Sequence, residues 1–273
     1  MYPNRNPLKV KLDNDRCIHG LYIQMAGPEN VEIAAAAGFD YVILDEEHGG
    51  FSYSETAQLI RAAEASGIVP VVRVSEQSAS AIRKALEAGA MGIYVPNVKN
   101  AQQAAQAIAA AKFSAVDTAG IRGACPTVRS ARSRGAVEWA SYVEWSNSNI
   151  MVSLLIESQE GVDNLAEILA VPGIDTIVLG RFDLAHEMGL NGDRYGKVMS
   201  DLFEKFVSDC EAANVPYLTR LSTLDPHDAR HEYENWVKRG ARIFNFASDR
   251  ELIAKSFTQA IRPFICKHPV DAH

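Results

Sequence analysis

Two carboxylates a strand apart are the first residues in this chain whose type and spacing suit chemistry. In residues 150–183, IMVSLLIESQEGVDNLAEILAVPGIDTIVLGRFD, the apolar runs 151–156 and 174–179 are too short for ordinary helices and rich enough in Val and Ile to be buried strands. Between them Val162, Leu165, Ile168 and Leu169 recur at helical spacing over 159–171, so the stretch reads strand, helix, strand, with the strands as parallel neighbours. Glu157 follows the first strand and Asp183 lies just past the second, which puts both acids at the carboxyl edge of one sheet. Such a pair seats a divalent cation; the plainer alternative for either acid alone is a helix cap.

A second dense group is Asp45-Glu46-Glu47-His48-Gly49-Gly50, three acids around a histidine directly after a buried strand. A carboxylate that holds one imidazole nitrogen raises the histidine's pKa and suits it to taking and returning a proton near neutral pH. A solvated turn of charges is the alternative. Arg73 lies in the otherwise apolar run VPVVRV, where a guanidinium needs a partner, either an acid at a neighbouring strand end or an anionic substrate. Gly120-Ile121-Arg122-Gly123 and then Arg129, Arg132 and Arg134 fill a long connection of the sort that forms a lid at a barrel mouth, or else a basic surface or subunit contact.

The elements that must position these groups alternate along the chain. After a polar arm over 1–15, strands are predicted at 18–25, 41–45, 68–74, 91–95, 151–156, 174–179, 215–221 and 242–247. Helices are predicted at 30–38, 54–66, 78–88, 101–112, 137–145, 159–171, 197–214, 227–239 and 250–261. Eight alternations in this length predict a (β/α)8 TIM barrel over 16–273 rather than two domains. A doubly wound open sheet is the alternative, but QMAGPEN stands after the first strand where its GxGxxG signature would be. In a barrel the chemistry gathers where strands end, and the polar residues converge on strands 2, 3, 5 and 6.

The chain has 273 residues, a net charge of −7 and a pI near 5.5, a balance that argues against non-specific nucleic-acid binding. No stretch has signal-peptide or membrane-span character, so a cytoplasmic protein without membrane contact is expected. Cys17, Cys125, Cys210 and Cys266 show no CxxC spacing, and neither a zinc site nor a disulfide framework is expected.

At these same residues the sequence resembles the metal-dependent class II pyruvate aldolases of the HpcH/HpaI type, which include 4-hydroxy-2-oxoheptanedioate and 2-keto-3-deoxy-sugar-acid aldolases. The resemblance runs from Gly20 to about Ile261 and rests on LDEEH at 44–48, VVR at 71–73 and LEAGAMGIYVPNV at 86–98, with GIRG at 120–123, IES at 156–158 and GRFDL at 180–184. It implies that Glu157 and Asp183 bind a divalent metal ion, Mg, Mn or Co, and that His48 is the general base, working through a water on that metal. Arg73 would bind the keto oxygen and steady the enolate, and Glu87 would partner the histidine, within a catalytic group that also takes in Asp45. Backbone amides at Phe182 and Asp183 would hold the pyruvate carboxylate, and Tyr22 would line the pocket. Two positions depart from the family pattern: Leu155 stands where Gln is common, and Arg181 where Pro is common, so Arg181 either recognises a second acidic group or faces a subunit contact.

The reading is therefore a carbon–carbon lyase that cleaves or forms a 4-hydroxy-2-oxo acid through a pyruvate enolate. Its partners are a 2-oxo acid, pyruvate or oxaloacetate, and an aldehyde. No lysine falls inside a predicted strand, which disfavours Schiff-base chemistry. Oxaloacetate decarboxylation, enolate condensation of the citrate- or macrophomate-forming kind, and a non-catalytic binding protein on the same scaffold are the alternatives. The resemblance also implies a homo-oligomer, a hexamer assembled from dimers that exchange an extended C-terminal helix, for which Phe257, Ile261, Phe264 and Ile265 supply apolar residues.

Overall fold

A computed structural model describes residues 5–132, 135–223 and 225–265; Arg134, Cys266 and the first four residues of the expected arm lie outside the described residues. Eight parallel strands form the centre: β1 (Ile18–Ile23), β2 (Tyr41–Asp45), β3 (Val69–Arg73), β4 (Gly92–Val95), β5 (Met151–Ile156), β6 (Thr176–Leu179), β7 (Leu218–Arg220) and β8 (Ile243–Ser248). Their order is β6-β5-β4-β3-β2-β1-β8-β7, and the ring closes where Ile177 on β6 bridges to Tyr217, its N–H reaching the Pro216 carbonyl at 2.9 Å. Sequence neighbours are thus spatial neighbours all the way round. That is the (β/α)8 barrel and excludes the open, doubly wound sheet.

Around the strands run α1 (Pro7–Asp13), α2 (Pro28–Ala36), α3 (Tyr53–Ser66), α4 (Ala79–Ala88), α5 (Ala101–Ala111), α6 (Gly135–Asn149), α7 (Gln159–Asp163), α8 (Leu165–Leu169), α9 (Arg181–Glu187), α10 (Lys197–Ala213), α11 (Pro226–Lys238) and α12 (Asp249–Ile261). Side chains one residue apart on a strand point to opposite faces, so the near-continuous apolar runs split into two cores. Val42, Leu44, Val72, Ile93, Val152 and Leu154 pack outward against the helices, whereas Tyr41, Ile43, Val69, Val71, Tyr94, Met151, Leu155 and Val178 fill the barrel. Each fully buried Ile or Leu stabilises by roughly 1.5–3 kcal/mol, which holds the strand ends rigid. The same alternation carries Asp45 and Arg73 inward at the carboxyl edge, in register with each other.

The structure corrects the sequence reading in four places. Residues 7–13 are a helix, not part of a polar arm: Asn6 caps it by accepting from the Leu8 N–H, Pro7 sits in its first turn, and buried Leu8 plugs the amino end of the barrel. The helix expected at 159–171 divides at Asn164, whose backbone leaves the helical region while its side chain donates to the Lys99 carbonyl at 2.9 Å. A short helix absent from the sequence reading, α9, follows β6, and Asp183 lies in its first turn. The Gly- and Arg-rich connection is no lid: α5 runs antiparallel to β4 and delivers it to the amino end, away from the strand ends that hold the chemistry. There Arg122 is buried against Phe113 and bonded to Ser146 and Tyr142, and Arg129 pairs with Glu64 and the Ala88 carbonyl. No helix among the described residues is long and apolar enough to cross a membrane.

Candidate active site

At the carboxyl end of the barrel a chain of polar contacts begins at the first residue of α12, directly after β8, and finishes on β3. Asp249 is buried and accepts from the backbone N–H groups of Gln24 and Met25 at 2.9 and 3.2 Å. Gln24 then donates its amide to Asp45 Oδ2 at 2.8 Å, and the N–H groups of Glu47 and His48 donate to Asp45 Oδ1. Arg73 completes the chain with a two-pronged pair, Nε to Oδ1 at 2.8 Å and Nη2 to Oδ2 at 2.6 Å. Burial alone would raise the Asp45 carboxyl, but Arg73, Gln24 and the His48 amide outweigh it and hold the group below its ordinary value. Asp45 is fully buried and committed to these donors, so it positions Arg73 and the His48 turn and does not reach a substrate, which corrects its placement among the catalytic residues. The turn itself needs Gly49, since a Cβ there would stand 2.0 Å from the Asp45 carbonyl oxygen.

Arg73 keeps one further partner, Glu47, whose Oε2 lies 3.0 Å from Nη1 yet is buried and makes no hydrogen bond. Burial pushes the Glu47 carboxyl up, with Arg73 and His48 opposing. Glu157 is more strongly perturbed: burial first, then the negative charges of Glu47 and Asp183, push it up to about 7, although the Asn97 N–H donates to it at 2.6 Å. Gly180 permits this crowding, because a Cβ there would come within 2.5 Å of Glu157 Cβ. Three carboxylates therefore face one another with Arg73 as the cation beside them, and the site holds more negative charge than its surroundings neutralise.

That imbalance fits a divalent cation. Glu157 and Asp183 offer hard oxygen donors of the kind Mg and Mn take, and bound cationic charge would relieve the repulsion that raises Glu157. Among the described residues no group of three or more His, Cys, Asp or Glu side chains could hold a metal ion, so such an ion would rest on the two carboxylates and on ligands from solution.

His48, Arg73, Tyr22, Glu157, Phe182, Asp183 and Arg181 line one cavity of about 470 Å³, so seven residues singled out from sequence are brought together. Tyr22 lies under the Arg73 guanidinium, 5.2 Å from ring centroid to Cζ, and burial pushes its phenol up to about 12. Leu155 is buried in the barrel just below and supplies an apolar floor. The His48 ring is half exposed, and its nearest carboxylate, Glu47 Oε2, stands 3.8 Å from Nε2, too far to hold the imbidazole nitrogen by a hydrogen bond. Glu87 is not among these residues. It lies on α4, where its carboxylate pairs with Arg83 one turn earlier, and it makes no bond to His48.

Sequence reading missed Glu47 as a member of the site, along with the far wall formed by Arg194, Tyr195, Phe203, Arg220, Asn245 and Glu251. Among the described residues no lysine lines the cavity.

Residues 19–256 match the family model described as HpcH/HpaI aldolase/citrate lyase. The chain is 34% identical to a 5-keto-4-deoxy-D-glucarate aldolase of Citrobacter koseri, over 94% of this chain and 97% of that protein. It is 35% identical to a hydroxypyruvate/pyruvate aldolase of Chromohalobacter salexigens over 69% of this chain and 72% of that one. Its backbone superposes on the solved structure of the citrate synthase SbnG with a TM-score of 0.82 at 28% identity, covering 94% of this chain and 96% of the other. With the barrel, the strand-end carboxylates and Arg73 in place, these matches show that the chain belongs to the HpcH/HpaI aldolase/citrate lyase family and is an enzyme of the lyase class.

Proposed function

We propose that this protein catalyses reversible aldol cleavage of a 4-hydroxy-2-oxo acid through the enolate of pyruvate, with Mg, Mn or Co held by Glu157 and Asp183. The observation that carries the reading is the crowding of the Glu157, Asp183 and Glu47 carboxylates beside a buried, firmly protonated Arg73. The aldolase names of the relatives support it.

When bound, the cation supplies Lewis-acid stabilisation of the charge that develops on the keto oxygen. Arg73 adds to it: a guanidinium has five N–H donors, and Asp45 engages Nε and one hydrogen of Nη2, which leaves the second Nη2 hydrogen and the Nη1 group, beside Glu47, for that oxygen. The α9 N–H groups at Phe182 and Asp183 have no carbonyl one turn earlier within the helix and are placed to bind the pyruvate carboxylate. His48, exposed at the cavity wall, takes a proton from the pyruvate methyl group. The enolate carbon then attacks the aldehyde carbonyl, and the proton returns to the new alkoxide oxygen; cleavage is the reverse. Glu47 keeps Arg73 and His48 in a common field without binding either tightly.

The same enolate chemistry can use another electrophile, and the likeness to a citrate synthase structure supports enolate condensation onto an oxo acid as the alternative. We also propose a homo-oligomer of dimers, built on the exposed Phe257, Ile261, Phe264 and Ile265 of the C-terminal segment.

The test is deuterium exchange of the pyruvate methyl hydrogens in D2O, followed by proton NMR on protein stripped of metal and then given Mg, Mn or Co. Metal-dependent exchange is expected. No exchange with any of the three would contradict the pyruvate reading.

A further inference from the structure

In the enolate mechanism above every oxygen of pyruvate has a partner, but the aldehyde oxygen, on which the alkoxide charge appears, has no fixed donor. Arg73 and the cation serve the keto oxygen, and the first amides of α9 serve the carboxylate. His48 is occupied at that moment with the proton it took from the methyl group.

The cavity holds an uncommitted neutral donor. β1 turns Tyr22 into the barrel, where it packs against the inner core and lies under the Arg73 guanidinium, 5.2 Å from ring centroid to Cζ. The charges that reach its oxygen belong to Arg73, Asp45, Arg220 and Glu157, on β3, β2, β7 and at the end of β5. These come from opposite sides of the ring of strands, so the hydroxyl stands near the barrel axis, inside the circle of strand ends. Leu155, Val178 and Leu218 supply apolar surface to the same cavity. The phenols deeper in the barrel are engaged: Tyr41 donates to the Phe244 carbonyl at 3.3 Å, and Tyr94 is bonded to Ser153. Among the described residues no group hydrogen-bonds the Tyr22 hydroxyl. Burial pushes this phenol up to about 12, so it keeps its proton at any working pH and is always a donor.

We propose that Tyr22 is a further catalytic residue, whose hydroxyl donates a hydrogen bond to the aldehyde oxygen and tightens on it as the new carbon–carbon bond forms. The enolate carbon bonds to the aldehyde carbon and the π pair of the carbonyl moves onto its oxygen. Tyr22 holds that alkoxide until the proton taken by His48 returns to it, and the phenol itself neither gains nor loses a proton. In cleavage the same hydrogen bond steadies the alkoxide whose electrons expel the enolate. A neutral donor fixed in an apolar floor is worth more to the charged oxygen than to the uncharged carbonyl, which is the condition for raising kcat. This inference rests on the pyruvate-enolate reading above. The rival role for Tyr22 is support of Arg73, and Arg73 serves the enolate whether or not an aldehyde is present.

The experiment therefore compares two rates of the full chain with Mg, Mn or Co: exchange of the pyruvate methyl hydrogens in D2O without aldehyde, and addition of pyruvate to glycolaldehyde or propanal. Exchange makes and quenches the enolate and never develops charge on an aldehyde oxygen. Tyr22→Phe keeps the ring beneath Arg73 and removes only the hydroxyl. It is expected to lower the ratio of addition to exchange by about 100-fold, the effect of one donor aimed at a developing oxyanion, with the loss in kcat and not in KM for the aldehyde. The exchange that the variant retains shows that its site is formed. A ratio within about threefold of native overturns the inference: if both rates stand, the ring alone matters, and if both fall together, the hydroxyl supports Arg73. In the native protein, exchange without addition to either aldehyde removes this inference alone, and absence of exchange removes the reading beneath it as well.

Discussion

At the amino end of the barrel Asn6 is fully buried, and its side chain accepts from the Leu8 N–H while donating to the carbonyls of Met91 and Asn149. Lys112, also buried there, donates its ammonium to the carbonyls of Asn147 and Ile150, with burial lowering it to about 8. At the carboxyl end Glu47 keeps a buried oxygen without a hydrogen bond, Glu157 is pushed up to about 7, and Arg181 has donors with nothing to bind. Both ends bury polar groups at comparable cost in lost hydration. The amino end recovers that cost within the protein, so its polar groups stabilise the fold. The carboxyl end leaves it unrecovered until something binds, and that is the physical mark of a site as opposed to a plug.

Substitutions should separate the two ends by what they change. The largest expected effect is on turnover: Asp183→Ala and Glu157→Gln should each lower metal-supported kcat/KM by about a thousandfold or more with little loss of thermal stability, read by methyl exchange and by calorimetry. A full retention of activity in either would remove the proposed cation seat. Next, Asp45→Asn should cost both ends of the comparison at once, about 3–5 kcal/mol in denaturant unfolding because Arg73 loses its buried partner, together with most of the activity because Arg73 is no longer held in place. Activity without destabilisation, or the reverse, would mean that Asp45 does not position Arg73.

Asn6→Ala should do the opposite of the site variants. It is expected to cost about 1–3 kcal/mol, from the lost cap and the unpaired carbonyls, while kcat/KM stays within about twofold of native. The smallest effect is a pH dependence of the metal-free protein. Because the folded state raises Glu157 above its ordinary value, folding binds the extra proton between about 4.5 and about 7, so stability falls as pH rises through that window and levels off above it. Glu157→Gln should flatten this slope in urea unfolding across the same range; an unchanged slope would place the proton elsewhere.

Much of this was legible in the sequence, for identifiable reasons. Parallel strands buried on both faces produce runs such as VPVVR and MVSLLI, and a charged residue at the end of such a run announces a strand end at the barrel mouth. Arg73, Glu157 and Asp183 were found that way. Glu47 was not, because three adjacent acids in a turn look alike until the Gly49 close approach decides which points inward. Glu87 was misplaced for the related reason that a helical residue's partner depends on which face it occupies, and the i,i+4 neighbour Arg83 was the available signal. The Asn6-Pro7 start of α1 was readable as cap and first turn, but a seven-residue helix has too little apolar periodicity to stand out from a polar arm. The far wall escaped because Arg194 and Tyr195 lie in the connection between α9 and α10 and Arg220 at the end of β7, and only the closing of β6 onto β7 brings them together.

The most direct test of the contrast between the two ends is a calorimetric titration of the metal-stripped protein with Mn at pH 8, beside Glu157→Gln under the same conditions. The account predicts one Mn per chain in the native protein, with an affinity that weakens as pH falls below about 7, and no measurable binding in the variant. Equal binding by both proteins would contradict it, because the uncompensated charge at the carboxyl end would then not be what receives the ion.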